Sequence, residues 1–349
     1  MGIKRIGFIG HLAYNEAKFD GQTVSSRLLA TELEKITVKR KIVIVDTCKS
    51  QNRILFFAKL IRCLFSCSHI VFMLSENGMK ALLPVFYCFS KLFRKRIYHR
   101  VIGGNINKYV EENRKWVKYL NSFSINWVQS DRIVQKLWEQ GVSNGKYLRN
   151  FRDAEPISID EITDSSPSPR YFCTFCRVTK SKGISEAIES VASINQETGK
   201  IVAILHVFGP IDDSYREEFD SLLVKHKEYV VYKGIVTQDK VVTTLKQYYY
   251  HLFPTTWEGE GFPGTIIDCY NAALPTIATN WAYNSDFLED GKTGYLYNWK
   301  MPEMLVSCIK KALDETDNEH HLIRVNNLKE AEKYRASVVM KQIIGDMND

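Results

Sequence analysis

The sequence has no uninterrupted apolar run long enough to cross a membrane, although 45% of its 349 residues are hydrophobic. No signal peptide is expected either, because residues 1–4 lead directly into a strand-like segment, Ile6 to Ile9. Charged residues make up an ordinary 25% of the chain. These features predict a cytoplasmic protein, and the length is sufficient for two domains of ordinary size.

Cysteines at zinc-finger spacing are also missing. The eight cysteines are scattered and lie mostly in apolar runs. Cys173 and Cys176 form a C-x-x-C pair, but no second pair follows at the spacing of a metal site. A strand over residues 171–176 explains this pair better than a metal or redox role. We therefore expect reduced cysteines and no metal ion.

Acidic residues are scarce in the first part of the chain. Residues 1–150 contain 26 Lys and Arg against 10 Asp and Glu, a net charge of +16. The other 199 residues contain 21 against 30, a net charge of −9. The first half should therefore face something anionic, and nucleic acid, anionic lipid and a phosphorylated acceptor are all candidates.

Acidic residues are scarcest between residues 51 and 100, where the sequence has nine Lys and Arg residues and one acidic residue, Glu76. Two segments there, 53–65 and 80–95, combine Phe and Leu with Lys and Arg. Helices of this composition fit a surface that lies on anionic lipid without crossing it. Alternatively, the apolar residues belong to the core and the basic residues form a solvated face.

One stretch, residues 251–297, combines a strand, a glycine-rich acidic loop, a helix and a second strand. This order predicts a βαβ unit, in which ligands bind where loops leave the carboxyl ends of the strands. Glu260 precedes a helix expected to start near Pro263 or Gly264, and Asp268 lies about one turn inside it. Carboxylates accept hydrogen bonds from sugar and ribose hydroxyls, and amides at a helix start suit phosphate. Together these groups indicate a nucleotide-sugar.

The same stretch resembles the retaining GT-B glycosyltransferases of family 4, the group 1 enzymes of bacterial surface-polysaccharide type. Glu260 to Asp268 is similar to their E-x7-E motif, with Asp in place of the second Glu. Residues 272–278 resemble their A-x-G-x-P-V-I-A segment, with Ala273 in place of Gly, and residues 289–294 resemble E-D-G-x-x-G. Residues 177–183 are similar to the R-x-x-x-x-K-G part of their phosphate loop.

The resemblance implies an α/β fold with two Rossmann-like doubly wound domains that face a central cleft. Residues 1–152 would form an acceptor-binding domain, and residues 171–327 would bind the nucleotide-sugar. An acidic segment with three prolines, 153–170, is the expected linker. A C-terminal helix, about 328–349, would cross back to the first domain.

The resemblance also implies the site residues. Arg177, Lys182 and Glu260 would be catalytic, with the two cations facing a diphosphate. The expected donor-binding residues are Gly21, Gln22, Thr23, Gly209, Gly234, Ile235, Gly261, Phe262, Pro263, Gly264, Thr265 and Asp268. The acceptor-side candidates are His99, Gly103, Gly104 and Asn105. Two plainer alternatives stay open, because residues 21–23 could be an ordinary helix start and a strand histidine is more often a core residue.

The implied function is hexosyl transfer, with retention and without a metal or cofactor. The donor would be a nucleoside-diphosphate sugar, and the acceptor a hydroxyl of a saccharide, lipid-linked in surface polysaccharide biosynthesis. The enzyme would then sit on the anionic cytoplasmic face of the membrane. Two alternatives remain: a non-catalytic nucleic-acid- or anion-binding protein on a degenerate sugar-nucleotide fold, and a nucleotide-sugar epimerase. No nucleic-acid-binding module is visible, so nucleic acid is not the expected partner.

Overall fold

Parallel strands form two six-stranded sheets in the computed structural model, which describes residues 5–14, 16, 20–37, 42–48, 53–163 and 168–348. The chain divides into two units, each with its own sheet. The first unit contains Met1–Asp153 and Ala336–Asp349, and the second contains Ala154–Arg335. The predicted class, two Rossmann-like α/β domains, is confirmed.

The first unit alternates strands and helices along the chain. Its strands are β1 (Ile6–Gly10), β2 (Ile42–Asp46), β3 (His69–Met73), β4 (Arg96–Arg100), β5 (Ile125–Val128) and β6 (Gly145–Tyr147). Its helices are α1 (Gly21–Ile36), α2 (Arg53–Ser66), α3 (Glu76–Leu92), α4 (Ile106–Glu112), α5 (Lys115–Leu120) and α6 (Asp131–Glu139). The sheet order is β2-β1-β3-β4-β5-β6, so the strand order reverses between β1 and β3. Ligands of such sheets bind outside the carboxyl ends of the strands at this reversal.

The second unit follows the same alternation. Its strands are β7 (Arg170–Phe175), β8 (Ala203–Phe208), β9 (Val230–Gly234), β10 (Tyr250–Phe253), β11 (Thr276–Thr279) and β12 (Gly294–Tyr297). Its helices are α7 (Ile184–Thr198), α8 (Arg216–Lys225), α9 (Val241–Leu245), α10 (Gly264–Asn271), α11 (Met304–Leu313) and α12 (Asp317–Ala331). The order β12-β11-β10-β7-β8-β9 is that of a dinucleotide-binding Rossmann sheet, with its reversal between β7 and β10.

The C-terminal helix α13 (Ala336–Asn348) belongs to the first unit, as the fold prediction requires. Ile343 and Met347 are buried in the same core cluster as Trp127 of β5. The Trp127 indole Nε1 donates a hydrogen bond of 2.7 Å to Asp346 Oδ2. The C-terminal helix expected over about 328–349 is instead interrupted, because Arg335 between α12 and α13 adopts extended backbone.

The segment expected to be a linker is packed against the second unit in its described part. Ile157 and Ile162 are buried beside Cys269 and Leu274. The Ile157 amide donates to the carbonyl of Asn271 at the end of α10, over 2.8 Å. Residues 164–167 lie outside the described part of the chain.

All eight cysteines are free thiols, and five of them are buried. Among the described residues, no cluster of His, Cys, Asp and Glu has the arrangement of a metal site. No helix of the described chain has the length and apolar character needed to cross a bilayer.

Candidate functional site

A buried ion pair marks the strand-order reversal of the second unit. Lys182 follows β7, and Glu260 follows the neighbouring strand β10. Lys182 Nζ lies 2.5 Å from Glu260 Oε2, and both side chains are less than a tenth exposed. The structure thus brings together two of the three predicted catalytic residues, at the place where a Rossmann sheet binds its ligand.

The backbone before α7 positions Lys182. Residues Lys180–Lys182 form a 3-10 turn, which Gly183 ends with a φ of +69°. A Cβ atom at Gly183 would lie 2.2 Å from the carbonyl oxygen of Pro254. The Thr256 amide donates to the Ser181 carbonyl over 2.9 Å. Only glycine allows the two loops to approach this closely, and this approach brings Lys182 to Glu260.

Two threonines that the sequence did not single out hold Glu260. Thr255 Oγ1 donates to Glu260 Oε2 over 2.9 Å, so this oxygen accepts from both a cation and a hydroxyl. Thr279 Oγ1, at the end of β11, donates to the Thr255 carbonyl over 2.6 Å. A hydroxyl at the end of each of two adjacent strands therefore fixes the acidic loop.

Trp257 is the second feature that sequence reasoning missed. The Arg177 guanidinium lies 5.7 Å from the centre of its ring, and Lys182 Nζ lies 4.7 Å from it. The Trp257 carbonyl accepts a 2.8 Å hydrogen bond from the indole of Trp281. Arg177 is exposed, so its guanidinium is accessible from solvent. Its position is set by the contact with the Trp257 ring. In the sequence, the position of Trp257 in the acidic, glycine-rich loop could have indicated it as a candidate site residue.

Cys176 replaces the glycine that the resembled family has before the arginine. Burial raises the pKa of its thiol to about 11, with a further rise from Glu260 and opposing effects of Lys182 and Arg177. The thiol is therefore neutral at ordinary pH and is not a nucleophile. The charges of Arg177, Lys182 and Glu260 all lie close enough to influence this thiol.

The helix α10 begins at Gly264, as predicted, with Pro263 as its N-cap residue. Pro263 provides no side-chain cap, so no side chain occupies the helix start at that position. The Phe262 ring is buried and stacks 3.9 Å from Phe287, so only its backbone could meet a ligand. Asp268 is buried within α10. This arrangement suits a phosphate at the helix start, and Gly261 and Thr265 flank the same turn.

The predicted nucleotide-side glycines lie at neighbouring strand ends. The Gly209 amide, after β8, donates to the carbonyl of Gly234 at the end of β9 over 2.9 Å. Both have positive φ values, +127° and +77°. A Cβ at Gly209 would lie 1.8 Å from the Cys176 carbonyl oxygen, whereas Ile235 is half exposed. These residues therefore lie, like the ion pair, at the carboxyl ends of the strands of the second sheet.

The two remaining motif segments, 272–278 and 289–294, shape the backbone. Ala273, where the family has glycine, adopts a φ of +51° and is fully buried. Gly294 ends the 289–294 turn, and a Cβ there would lie 2.0 Å from the Thr276 carbonyl oxygen. Both positions turn the chain into a neighbouring strand, and neither presents a side chain to a ligand.

The donor-side candidates of the first unit form the start of α1. Asp20 caps this helix and accepts from both the amide and the hydroxyl of Thr23, over 3.0 and 2.7 Å. Thr23 is buried, whereas Gly21 is exposed, and a Cβ added at Gly21 would have no atom within 4 Å. Gln22 is partly exposed. Of the three, Gly21 and Gln22 can meet a ligand directly.

The acceptor-side candidates also comprise one buried residue and others that lie in a loop. His99 is fully buried in β4, and its ring stacks on Phe72 with the centroids 4.4 Å apart. Burial lowers the pKa of His99 to about 3. His99 is therefore placed as a core residue, which was the alternative to an acceptor-side role. Gly103, with a φ of +70°, Gly104 and Asn105 lie beyond the carboxyl end of β4, where Asn105 precedes α4.

A family model agrees with this geometry. Residues 169–315 match the model of the glycosyl transferases group 1. This segment is therefore similar to the glycosyl transferases of group 1. It contains β7 to β12, the Lys182–Glu260 pair and the start of α10. The resemblance drawn from the motifs is thereby confirmed for the second unit.

Solved structures share the fold over 80 to 99% of this chain. HepE from Anabaena, crystallised with UDP and glucose, has a TM-score of 0.75 at 14% identity and covers 99% of each chain. The lipopolysaccharide outer core galactosyltransferase WaaB has a TM-score of 0.66 at 13% identity and covers 98% of this chain and 99% of its own. The pneumococcal O-GlcNAc transferase GtfA, crystallised with UDP and GlcNAc, has a TM-score of 0.62 at 18% identity. It covers 80% of this chain and 56% of its own. Among curated proteins, none matches this sequence.

Proposed function

We propose that this protein is a retaining glycosyltransferase that moves a hexosyl group from a nucleoside-diphosphate sugar to a saccharide hydroxyl. The observation that carries the proposal is the buried Lys182–Glu260 pair at the strand-order reversal of a group 1 segment. HepE has been crystallised with UDP-glucose, which supports a uridine nucleotide as the first donor to try.

The difficult step is departure of the diphosphate from the anomeric carbon. Arg177 and Lys182 would stabilise the negative charge that develops on its oxygens, together with amides of residues 261–265. Because two side-chain cations are present at the site, the proposed reaction needs no metal ion. Glu260 would accept hydrogen bonds from sugar hydroxyls, and Asp268 from the ribose.

Transfer with retention requires attack from the face of the departing group. The acceptor oxygen would bond to the anomeric carbon as the bond from that carbon to the diphosphate breaks. The acceptor proton would pass to the leaving phosphate oxygen, so no separate base is needed. We propose residues 21–22 and 103–105 of the first unit as contacts for donor and acceptor, and a lipid-linked saccharide of surface polysaccharide biosynthesis as acceptor.

The direct test incubates the full chain with a panel of sugar nucleotides and membrane-extracted acceptors, followed by mass spectrometry of the products. Retention is read from the anomeric configuration by NMR, and the metal requirement from activity in chelator. Arg177→Gln should lower kcat/KM roughly 10- to 100-fold, as expected for loss of a charge-assisted contact. Lys180→Gln is the matched control, since Lys180 lies in the same loop but is exposed and pairs with Glu218.

Each alternative gives a different result in this assay. An epimerase would convert the donor without any acceptor, and a non-catalytic binding protein would leave every donor unchanged. Equal activity of the Arg177→Gln and Lys180→Gln variants would remove the phosphate-binding role of Arg177.

A further inference from the structure

The inner face of α2 is fixed against the first sheet. Leu60, Cys63 and Leu64 are buried. A Cβ at Gly7 of β1 would lie 2.3 Å from Cys63 Sγ, which shows how closely the helix approaches the strand. The rotation of α2 about its axis is therefore determined by packing, and so is the set of side chains that faces away from the sheet.

Four large apolar side chains belong to the exposed part of α2. Ile54 is 80% exposed, and Phe57, Ile61 and Phe65 are each 55% exposed. Their spacing of three, four and four residues puts them in one stripe along the helix. A surface helix ordinarily presents charged or polar side chains on this face. The helix thus carries apolar side chains on both sides, and among the described residues only its inner side is covered.

The end of α3 extends the stripe. Phe65 packs against Phe89 and Phe93, with ring centroids 5.1 and 5.3 Å apart. Leu92 is 75% exposed and Phe93 is 48% exposed. We call the combined surface the outer patch; it consists of Ile54, Phe57, Ile61, Phe65, Leu92 and Phe93. Adjoining exposed apolar side chains of this kind are typical of a site of interaction.

Cations accompany the outer patch on the same two helices and just after α3. They are the exposed residues Lys59, Arg62, Lys91 and Arg94. In residues 54–100 the acidic side chain is that of Glu76, which pairs with Lys80 at 2.5 Å near the opposite end of α3. The occupant of this surface should therefore combine an apolar interior with negative charge.

We propose that the outer patch binds the surface of an anionic phospholipid bilayer. The apolar side chains would enter the boundary between headgroups and acyl chains, and the cations would meet the lipid phosphates. A second copy of this chain fits less well, because a symmetric contact would bring the same four cations together. The inference does not depend on the proposed transferase activity.

The test measures co-flotation of the full chain with neutral phosphatidylcholine vesicles and with vesicles that also contain phosphatidylglycerol, without any sugar nucleotide. We expect binding to the anionic vesicles that weakens as salt is raised. Phe57→Ser/Ile61→Ser should reduce binding at least about tenfold, since two apolar side chains are lost from the interface. Lys59→Gln/Arg62→Gln should reduce it by roughly fivefold per charge.

Matched controls come from the second unit. Val224→Ser/Leu322→Ser removes two apolar side chains that are likewise exposed, 74% and 58%. Lys227→Gln/Lys240→Gln removes two exposed charges. Both controls should bind vesicles as the unchanged chain does.

Absence of vesicle binding, equal binding to neutral and anionic vesicles, or binding unaffected by the outer-patch variants would overturn the proposal. A dimer in solution that the Phe57→Ser/Ile61→Ser variant abolishes would assign the patch to a second copy instead. None of these outcomes bears on sugar transfer.

Discussion

Lys182 and Glu260 are 78 positions apart in the sequence, yet their charged groups lie 2.5 Å apart in a buried setting. A buried pair of this kind is weak evidence for stability, because desolvation of both charges offsets much of their attraction. Removing one partner, however, leaves the other charge uncompensated. Under the proposed function, the pair would serve to bind a charged ligand and not to stabilise the fold.

This interpretation predicts a specific double-mutant cycle. Lys182→Met should lower the free energy of unfolding by about 3–5 kcal/mol, because Glu260 would stay buried with the Thr255 hydroxyl as a partner but without its cation. Glu260→Gln should also destabilise, and the double variant should lose less than the sum. All three should lose at least about 100-fold in kcat with any donor that the unchanged enzyme uses. Urea denaturation and initial rates provide the two readouts.

The control is the ion pair between Lys310 and Glu197, 2.6 Å apart and exposed on α11 and α7. Lys310→Met should change the free energy of unfolding by less than about 1 kcal/mol. If Lys182→Met were as mild as Lys310→Met, the pair would not be buried as described. Full activity of Glu260→Gln would separate the pair from the chemistry.

Local patterns predicted the parts of this site that are close in sequence. The strand at Thr276–Thr279 and the helix start at Gly264 lie where β-branched residues and a glycine- and proline-containing loop indicated them. The Thr255–Glu260 and Thr279–Thr255 contacts could not be predicted, because they depend on the register of two neighbouring strands. Trp257 has the same limitation, since its role depends on where β7 brings Arg177.

The expected linker and the helix α2 show a second limit of prediction from sequence. An acidic, proline-containing stretch indicated a linker, but Ile157 and Ile162 are apolar enough to pack on α10 and its neighbours. In α2, apolar residues occur on both sides of the helix, so periodicity alone could not tell the core face from the exposed one. In both cases a neighbouring element distant in sequence decides the outcome.

The contact of Trp257 with two cations makes it a positioning residue in the proposed mechanism. Trp257→Leu should raise the KM for the donor roughly 2- to 30-fold, because cation–π contacts to Arg177 and Lys182 are lost. Trp257→Phe keeps an aromatic face and should recover part of this loss. Steady-state kinetics with varied donor would measure the effect.

Trp138→Leu is the control, since Trp138 is 70% exposed on α6 of the first unit. It should leave the donor KM unchanged. If Trp257→Leu and Trp257→Phe gave the same KM, the ring would act by its volume and not by its attraction for cations.

The two ends of α7 offer a matched pair of glycines. Gly183 and Gly199 have similar φ values, +69° and +64°, so alanine should strain either position by about 1–2 kcal/mol. At Gly199 no atom lies within 4 Å of the added Cβ, whereas at Gly183 it would meet the Pro254 carbonyl oxygen at 2.2 Å. Gly183→Ala should therefore cost a further roughly 1–3 kcal/mol. Denaturant midpoints and m-values measure both, and equal costs would contradict the proposed close approach of the loops.

The same comparison extends to activity. Gly183→Ala should displace Lys182 from Glu260 and lower kcat, because small misplacements of catalytic groups have large effects on rate. Gly199→Ala, at the far end of the helix, should leave kcat unchanged. A loss of activity in both variants would point to general destabilisation instead.

His251, in the centre of the second sheet, predicts how stability depends on pH. Burial lowers the pKa of its imidazole from 6.5 to about 3, so the folded chain keeps it neutral where the unfolded chain takes up a proton. The free energy of unfolding should consequently fall as the pH decreases from about 6.5 towards 3, by up to about 1.4 kcal/mol per pH unit from this group. His251→Leu should remove this contribution. Urea denaturation at about pH 7 and about pH 5 measures it as a difference within each protein, so that the direct cost of the substitution cancels. Identical pH dependence in the two proteins would mean that His251 is protonated in the folded state or reached by water.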